Sequence, residues 1–247
     1  MRLITLGTGN AFAEGSRFHS ATIVKAGRKT LLVDCGPCIM PALNRAGITS
    51  DEIDAVLITH FHGDHIGGVP LLLLDCRFRS RRTRPLLILG PRRCKAHLEA
   101  LTKLMYRELV GKRRGFPVTY KEIMPGDEGL VLGGIVVRAY GMRHIHRKEC
   151  LGYRIEDRGK SVAITGDTTW CDSIPEMSRA VDLLLTECTQ FTQENPVHLS
   201  YAQLLKHDAE IGAKRIVLTH LGGDLLKNRA RIRRRHRIAE DGEAFDV

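Results

Sequence analysis

Apolar, β-branched runs of strand length recur along the chain, each closed by a glycine-rich or polar turn, with stretches of helical spacing between them. Residues 2–7 read as a first strand, followed by a loop that opens at Gly7-Thr8-Gly9 and runs to about residue 19. Residues 20–26 and 30–34 read as the arms of a hairpin turning at Gly27-Arg28. A short helix follows Pro37 and ends at Gly47. The run Ala55-Val56-Leu57-Ile58-Thr59 is a buried strand, 69–74 the start of a buried helix, and 77–84 an exposed basic connection. A strand at 86–89 precedes a helix over 92–110, whose apolar face is Leu98, Leu101, Leu104, Met105 and Leu109. Residues 115–123 return to strand.

The second half predicts strands at 135–140, 151–156, 161–165, 181–186 and 215–219. Asp157-Arg158-Gly159-Lys160 is a tight turn between two of them. Ser200 and Gln203 have capping-box spacing for a helix that ends at Gly212. Paired strands followed by an α-β-α run occur twice, without a true sequence repeat. That order predicts an α/β protein, a four-layer αββα sandwich, formed as one domain over residues 1–247.

A hydrophobic share of 43% and a charged share of 27% are those of a soluble globular chain, and no apolar run approaches a membrane span. The first residues read as strand rather than signal peptide, which predicts a cytoplasmic protein. Seven cysteines, an odd number, read as reduced and mostly buried thiols. Cys35-Gly36-Pro37-Cys38 has redox-pair spacing but lacks the long helix such a pair opens, so redox chemistry is disfavoured. The net charge of +10 is concentrated in blocks: one from Arg77 through Lys95, one at 112–114, and one in the segment 227–237. Such fields attract polyanions, and solvated helix faces explain them equally well. With aromatics at 5% and not interleaved with the basic blocks, a stacking platform for single strands is unfavoured.

Candidate chemistry is concentrated directly after the strand at 55–59, in His60-Phe61-His62-Gly63-Asp64-His65. Neutral imidazole and carboxylate are ligands for zinc and similar divalent ions. Four such groups in so short a turn point in different directions, which suits two ions better than one. Glycine at 63 is read as allowing the tight bend. Further ligands are expected where other strands end, because strand ends gather at one edge of a sheet. Asp167 follows the strand at 161–165, His220 follows 215–219, and His144 and His146 follow 135–140.

With these residues in view, the sequence resembles the metallo-β-lactamase superfamily, and within it the ribonuclease Z-like phosphodiesterases. The resemblance runs from Leu6-Gly7-Thr8-Gly9 to Ala239-Glu240-Asp241-Gly242, with Val33-Asp34-Cys35-Gly36 as a first motif. It implies two Zn²⁺ ions, with Mn²⁺ or Fe able to use the same ligands. His60, His62 and His146 would hold the first ion, and Asp64, His65 and His220 the second, with Asp167 bridging. His146 is preferred to His144 on its spacing from Gly152-Tyr153, which leaves His144 a supporting role. Asp34 would support the metal loop. Histidine at 62, where di-iron flavoprotein relatives usually carry glutamate, argues for hydrolysis over redox chemistry.

Glu187, in Thr186-Glu187-Cys188-Thr189, and His198, in His198-Leu199-Ser200, resemble the branch's proton-donating pair. The resemblance therefore implies phosphodiester hydrolysis: Asp64 orients the attacking hydroxide, and His198, kept charged by Glu187, protonates the leaving oxygen. Transfer-RNA 3′ processing is one candidate reaction, but the arm that binds transfer RNA in that branch would fall at the short turn around Gly159. A short RNA, a cyclic nucleotide or another small phosphodiester are the other candidates. Arg77, Arg79, Arg81 and Arg82 are candidate contacts to a phosphate-bearing substrate. Many members of the branch are dimers, so a homodimer is expected. The competing readings are a zinc hydrolase of a carbon ester, thioester or lactam, and a basic RNA-binding protein with structural metals.

Overall fold

The computed structural model describes the chain except residues 128, 146–149 and 194 and the side chains of Lys112 and Arg113. Its strands are β1 (Arg2–Gly7), β2 (Ala21–Ala26), β3 (Lys29–Val33), β4 (Ala55–Leu57), β5 (Leu86–Gly90) and β6 (Val118–Glu122). They continue as β7 (Leu130–Leu132), β8 (Ile135–Gly141), β9 (Leu151–Asp157), β10 (Lys160–Ile164), β11 (Leu183–Glu187), β12 (Ile216–Thr219), β13 (Arg237–Ile238) and β14 (Glu243–Asp246). Among the described residues these make two seven-stranded sheets, β14-β1-β2-β3-β4-β5-β6 and β13-β12-β11-β10-β9-β8-β7. The helices are α1 (Ile39–Ala46), α2 (Gly63–Ile66), α3 (Val69–Phe78), α4 (Cys94–Met105), α5 (Ser173–Ser178), α6 (Tyr201–Lys206), α7 (Gly223–Lys227) and α8 (Arg229–Ile232).

Three apolar clusters separate the layers. Leu3, Leu31, Leu57, Val137, Tyr153 and Leu185 belong to the core between the sheets. Ile23, Leu32, Val56 and Ile88 on the other face of the first sheet meet Leu43, Leu72 and Leu98 of its helices. Ala163, Leu184 and Leu218 of the second sheet meet Met177, Leu204 and Ile232. The αββα sandwich is therefore formed as expected. Strand residues alternate between the two faces, and both faces are buried, so the strands read as continuous apolar runs rather than polar-apolar alternation.

Each sheet joins an antiparallel part to a parallel part. Strands β3, β4, β5 and β6 run parallel, as do β10, β11, β12 and β13. Their carboxyl ends consequently emerge along one edge, and the sheets meet there. Leu151 N–H donates to Thr59 O at 2.9 Å and Tyr153 OH donates to Ile58 O at 2.6 Å. At Gly166, φ is +63° and a Cβ would stand 2.8 Å from Thr59 Cβ, so both conformation and space require glycine there.

Several elements differ from the sequence reading. The helix after β5 stops at Met105 and is followed by 3₁₀ turns at Arg107–Leu109 and Gly111–Arg114. Ser200 does cap α6 through Gln203, but that helix ends at Lys206. The helix α3 continues to Phe78, so Arg77 lies in it and not in a connection. The short strands β7, β13 and β14 carried too little apolar pattern to be read in advance. Gly63 opens a single helical turn with open space where a Cβ would stand, and the tight-bend role does not apply. Cys35 and Cys38 are free thiols, and burial, with the neighbouring Asp34 charge, pushes the Cys35 thiol well up, against a reactive thiolate. Among the described residues, no helix is long and apolar enough to cross a membrane.

Candidate active site

The strand β4 ends at the shared edge, and residues 58–62 lead into the one-turn helix α2; His60 and His62 stand before the helix and Asp64 and His65 in it, so the four polar groups fan out. Asp34, at the end of β3 in a left-handed conformation (φ 59°), fixes this segment. Its Oδ1 accepts from Thr59 N at 2.8 Å; its Oδ2 accepts from Thr59 Oγ1 at 2.8 Å and from His65 Nδ1 at 2.7 Å. With the Thr59 hydroxyl donating to Asp34, its lone pair accepts from His60 Nδ1 at 3.0 Å. The second sheet answers with Asp167 after β10, Glu187 at the end of β11 and His220 after β12. His220 also sits at positive φ, 53°, and its Nδ1 donates to Thr189 Oγ1 at 3.1 Å.

The same tautomer results at four rings. Nδ1 of His60, His65, His144 and His220 each has an acceptor, that of His144 being Val197 O at 2.7 Å. Nε2 of each is thereby left with a lone pair directed inward, the arrangement in which imidazole ligates a metal. His60 Nε2, His65 Nε2 and Asp167 Oδ1 are buried without a hydrogen-bond partner, and unpaired buried groups are costly unless something else satisfies them.

Two donor groups overlap at one carboxylate. His60, His62, His144 and Asp167 form the first; Asp64, His65, Asp167 and His220 form the second. Within each, the donor atoms lie within 4.8 Å of one another. Asp167 Oδ1 is 3.2 Å from His65 Nε2, and its Oδ2 is 3.4 Å from His220 Nε2 and 3.7 Å from His60 Nε2. Asp64 Oδ2 lies 3.3 Å from His65 Nε2 and 3.2 Å from His220 Nε2. Burial, together with the neighbouring His65, holds His60 well below the ordinary imidazole value. Burial would raise Asp64 and Asp167, but the surrounding imidazoles win and hold both carboxylates well below their usual range. Burial would lower His65 and His220, but Asp167, with Asp34 beside His65 and Asp64 beside His220, raises both; a divalent cation would take the place of the protons these carboxylates draw in, so the donor set of imidazole and ionised carboxylate fits a pair of such ions.

Beside the second group, Glu187 and His198 form a pair. His198 Nδ1 donates to Glu187 Oε1 at 3.0 Å. The same Oε1 accepts from Thr168 N at 2.6 Å, and Oε2 accepts from Thr189 Oγ1 and Leu199 N at 3.0 and 3.2 Å. Burial disfavours the charged ring, yet the hydrogen bond and charge of Glu187, with Asp167 and Asp64 nearby, push His198 up to about 9. A cleft of about 280 Å³ opens over these groups, and His62, Asp64, Asp167, His198 and His220 line it.

The expected ligand His146 lies outside the described residues. Among the described residues His144, expected in support, has its Nε2 3.3 Å from His62 Nδ1 and falls in the first donor group. None of Arg77, Arg79, Arg81 and Arg82 lines the cleft. Arg82 is a buried strut, its guanidinium donating to the carbonyls of Arg84, Ser50, Asp51 and Pro85. Arg79 pairs with Asp75 and Asn44. Sequence reasoning passed over Thr59 and Thr189, although both stand in segments singled out for their neighbours.

Fold and donor set together define a metal-dependent hydrolase of the metallo-β-lactamase superfamily, in its ribonuclease Z-like branch. The family model described as Anti-Pycsar protein Apyc1 matches residues 1–245, and the chain belongs to that family. Ribonuclease Z of Mycobacterium bovis (strain BCG) is 29% identical over 195 residues, covering 75% of this chain and 69% of that protein. Ribonuclease Z of Methanosarcina mazei is 26% identical over an alignment spanning 309 positions, covering 100% of this chain and 98% of that protein. The crystal structure of the metallo-β-lactamase fold protein YhfI from Bacillus subtilis superposes with a TM-score of 0.81 at 23% identity, covering 100% and 99% of the two chains.

Proposed function

We propose that this protein is a dinuclear, zinc-dependent phosphodiesterase acting on a small phosphodiester, such as a cyclic nucleotide, in preference to precursor transfer RNA. The observation that carries the reading is the overlap of two donor groups at Asp167 with the His198–Glu187 pair on the same cleft. Two divalent cations bound there would supply Lewis-acid activation of the phosphoryl group and of water. His60 and His62, with His144 or His146, would hold one beside Asp167, and Asp64, His65 and His220 would hold the other beside the same carboxylate. Asp64 lines the cleft, where it would orient the attacking water. His198, charged through its bond to Glu187, donates its remaining N–H to the leaving oxygen. Hydrolysis of a carbon ester or lactam would leave that acid pair without work.

Three features favour a small substrate. The cleft holds about 280 Å³. β9 and β10 are joined by the turn at Arg158-Gly159, where the transfer-RNA arm is expected in the branch. The arginines at 77–82 lie outside the cleft, and Arg82 is committed to backbone carbonyls. The alignment with the Methanosarcina mazei ribonuclease Z spans 309 positions against the 247 residues of this chain, so that relative carries segments this chain lacks.

The test is turnover by zinc-, manganese- and iron-reconstituted protein on 3′,5′-cyclic AMP, bis(p-nitrophenyl) phosphate, precursor transfer RNA, a thioester and a β-lactam. Metal-dependent hydrolysis of the phosphodiesters is expected, with the cyclic nucleotide ahead of transfer RNA. Cleavage of precursor transfer RNA alone would overturn the small-substrate reading, and thioester or lactam turnover alone would overturn phosphorus as the target.

A further inference from the structure

One aromatic on the cleft has no role in the chemistry above. Phe12 is 83% exposed and lines the cleft together with Asp64, Asp167 and His198. It stands at the tip of the loop between β1 and β2. A large apolar ring left this open is a contact surface awaiting a partner.

The loop is tied so that the ring stays out. At its base Gly9 N–H donates to Phe18 O at 2.8 Å, and Phe18 N–H donates to Asp241 Oδ2 at 2.6 Å. The buried Arg17 guanidinium donates to Thr8 Oγ1 and Ala239 O. At the tip, Asn10 Oδ1 accepts from Phe12 N–H at 3.1 Å and Asn10 Nδ2 donates to Glu14 Oε2 at 2.7 Å. Ala13 and Ser16 both adopt left-handed backbone, φ 52° and 57°. Non-glycine residues hold that conformation only where their surroundings impose it, and such strain gathers at ligand clamps.

The cleft is also lined by amides. Gln190 Oε1 is buried without a partner, while the Gln190 backbone is pinned by its carbonyl accepting from Tyr201 N–H at 2.8 Å. Asn195 Oδ1 accepts from Val197 N–H at 2.9 Å, and among the described residues its amino group has no hydrogen-bond partner. An aromatic face, an unsatisfied acceptor and a free donor around one cleft suit a planar heterocycle with a hydrogen-bonding edge.

We propose that Phe12, Gln190 and Asn195 form a nucleobase subsite of this cleft, Phe12 stacking on the base and the two amides meeting its edge. The proposal rests on the phosphodiesterase reading and names residues that set its preference for base-bearing substrates. Stacking is available to every base, and a side-chain amide offers both a donor and an acceptor, so the subsite accepts purines and pyrimidines alike.

The test compares 3′,5′-cyclic AMP and cyclic CMP with methyl ribofuranoside 3′,5′-cyclic phosphate, which keeps the phosphodiester ring and lacks the base. Kinetics are measured on metal-loaded wild type, Phe12→Ala, Phe12→Trp and Gln190→Leu. Binding is read separately by calorimetry, as the Kd of AMP against that of ribose 5-phosphate. Phe12→Ala is expected to raise KM for both cyclic nucleotides about tenfold more than for the base-free analogue, and to weaken AMP about tenfold relative to ribose 5-phosphate. Phe12→Trp restores the discrimination, and Gln190→Leu reduces it about fivefold. Equal losses on base-bearing and base-free probes would overturn the subsite and leave the phosphodiesterase reading standing. Failure of the metal-loaded wild type to hydrolyse any of the three probes would overturn both. A Phe12→Ala protein of lower particle mass by light scattering, with discrimination intact, would make Phe12 a contact between copies of the chain and overturn the subsite.

Discussion

Asp34 and Glu187 do the same thing in the two halves of the molecule. Each stands at the end of a strand beside the cleft, fixes one histidine directly and reaches a second through a threonine. Asp34 holds His65 at 2.7 Å and bonds Thr59, whose hydroxyl meets His60. Glu187 holds His198 at 3.0 Å and bonds Thr189, whose hydroxyl meets His220. The difference lies in the directly held ring. The His65 side chain is 2% exposed and faces Asp64 and Asp167, whereas that of His198 is 21% exposed and lines the cleft. A carboxylate raises the basicity of the imidazole it binds. On a ring enclosed among other donors this strengthens a ligand; on a ring open to substrate it keeps an acid charged. Burial therefore decides which chemistry one hydrogen-bonding device delivers.

The largest expected effect comes where the halves meet. Asp167→Ala removes the carboxylate common to both donor groups, so metal content measured by plasma emission should fall at both and activity should drop to background. Retention of both metal equivalents would separate the groups and break the shared-carboxylate reading. Next comes the direct test of the two rings. His65→Ala should lose bound metal along with activity. His198→Ala should keep its metal and lose about 10²–10⁴-fold in kcat on substrates with an alkoxide leaving group. Its loss on bis(p-nitrophenyl) phosphate should be much smaller, since nitrophenolate leaves without a proton. Metal loss from His198→Ala equal to that from His65→Ala would erase the distinction.

The first half of this symmetry was legible in one stretch of the sequence and the second only as scattered strand-end candidates, for a physical reason. His60 to His65 follows a continuous apolar strand, so strand, turn and donors share one window, and only local rules are needed to join them. His220, Asp167, Glu187 and His198 stand apart in sequence and come together only because β10, β11 and β12 run parallel and end at one edge. Strand ends suggested them as candidates, and the family resemblance suggested roles. The placement of His144 beside the first donor group was not legible, because the Val197 carbonyl that orients it comes from a different part of the chain. Arg82 departs from its expectation in the opposite direction. A run of positive charge looks like a substrate surface, and only tertiary contacts reveal Arg82 as a buried brace.

Changing the carboxylates themselves sharpens the comparison at smaller scale. Asp34→Asn should weaken metal binding by about 10–100-fold, the usual cost of losing an outer partner of a ligand. Glu187→Gln should act mainly on kcat, shifting less metal than Asp34→Asn while lowering turnover of poor leaving groups in the manner of His198→Ala. Chelator competition and a leaving-group series separate the two effects. If Glu187→Gln lost as much metal as Asp34→Asn, Glu187 would belong to ligand support alone.

The threonines give the finest test, because each serves one ring of one donor group. Thr59→Val keeps shape and burial but removes the acceptor of His60 Nδ1, leaving His65 on Asp34 directly. Thr189→Val removes the acceptor of His220 Nδ1, while Glu187 keeps Leu199 N–H, Thr168 N–H and His198. His60 lies in the first donor group and His220 in the second. Thr59→Val should therefore weaken one metal and Thr189→Val the other, each by about tenfold, since each ring loses its Nδ1 acceptor while the carboxylate behind it loses one of several donors. Stepwise release to a graded series of chelators would show the two steps move independently. The double variant should be close to additive if the relays are separate. Movement of both steps by either single variant would mean that Asp167 couples the groups so tightly that the two halves act as one unit.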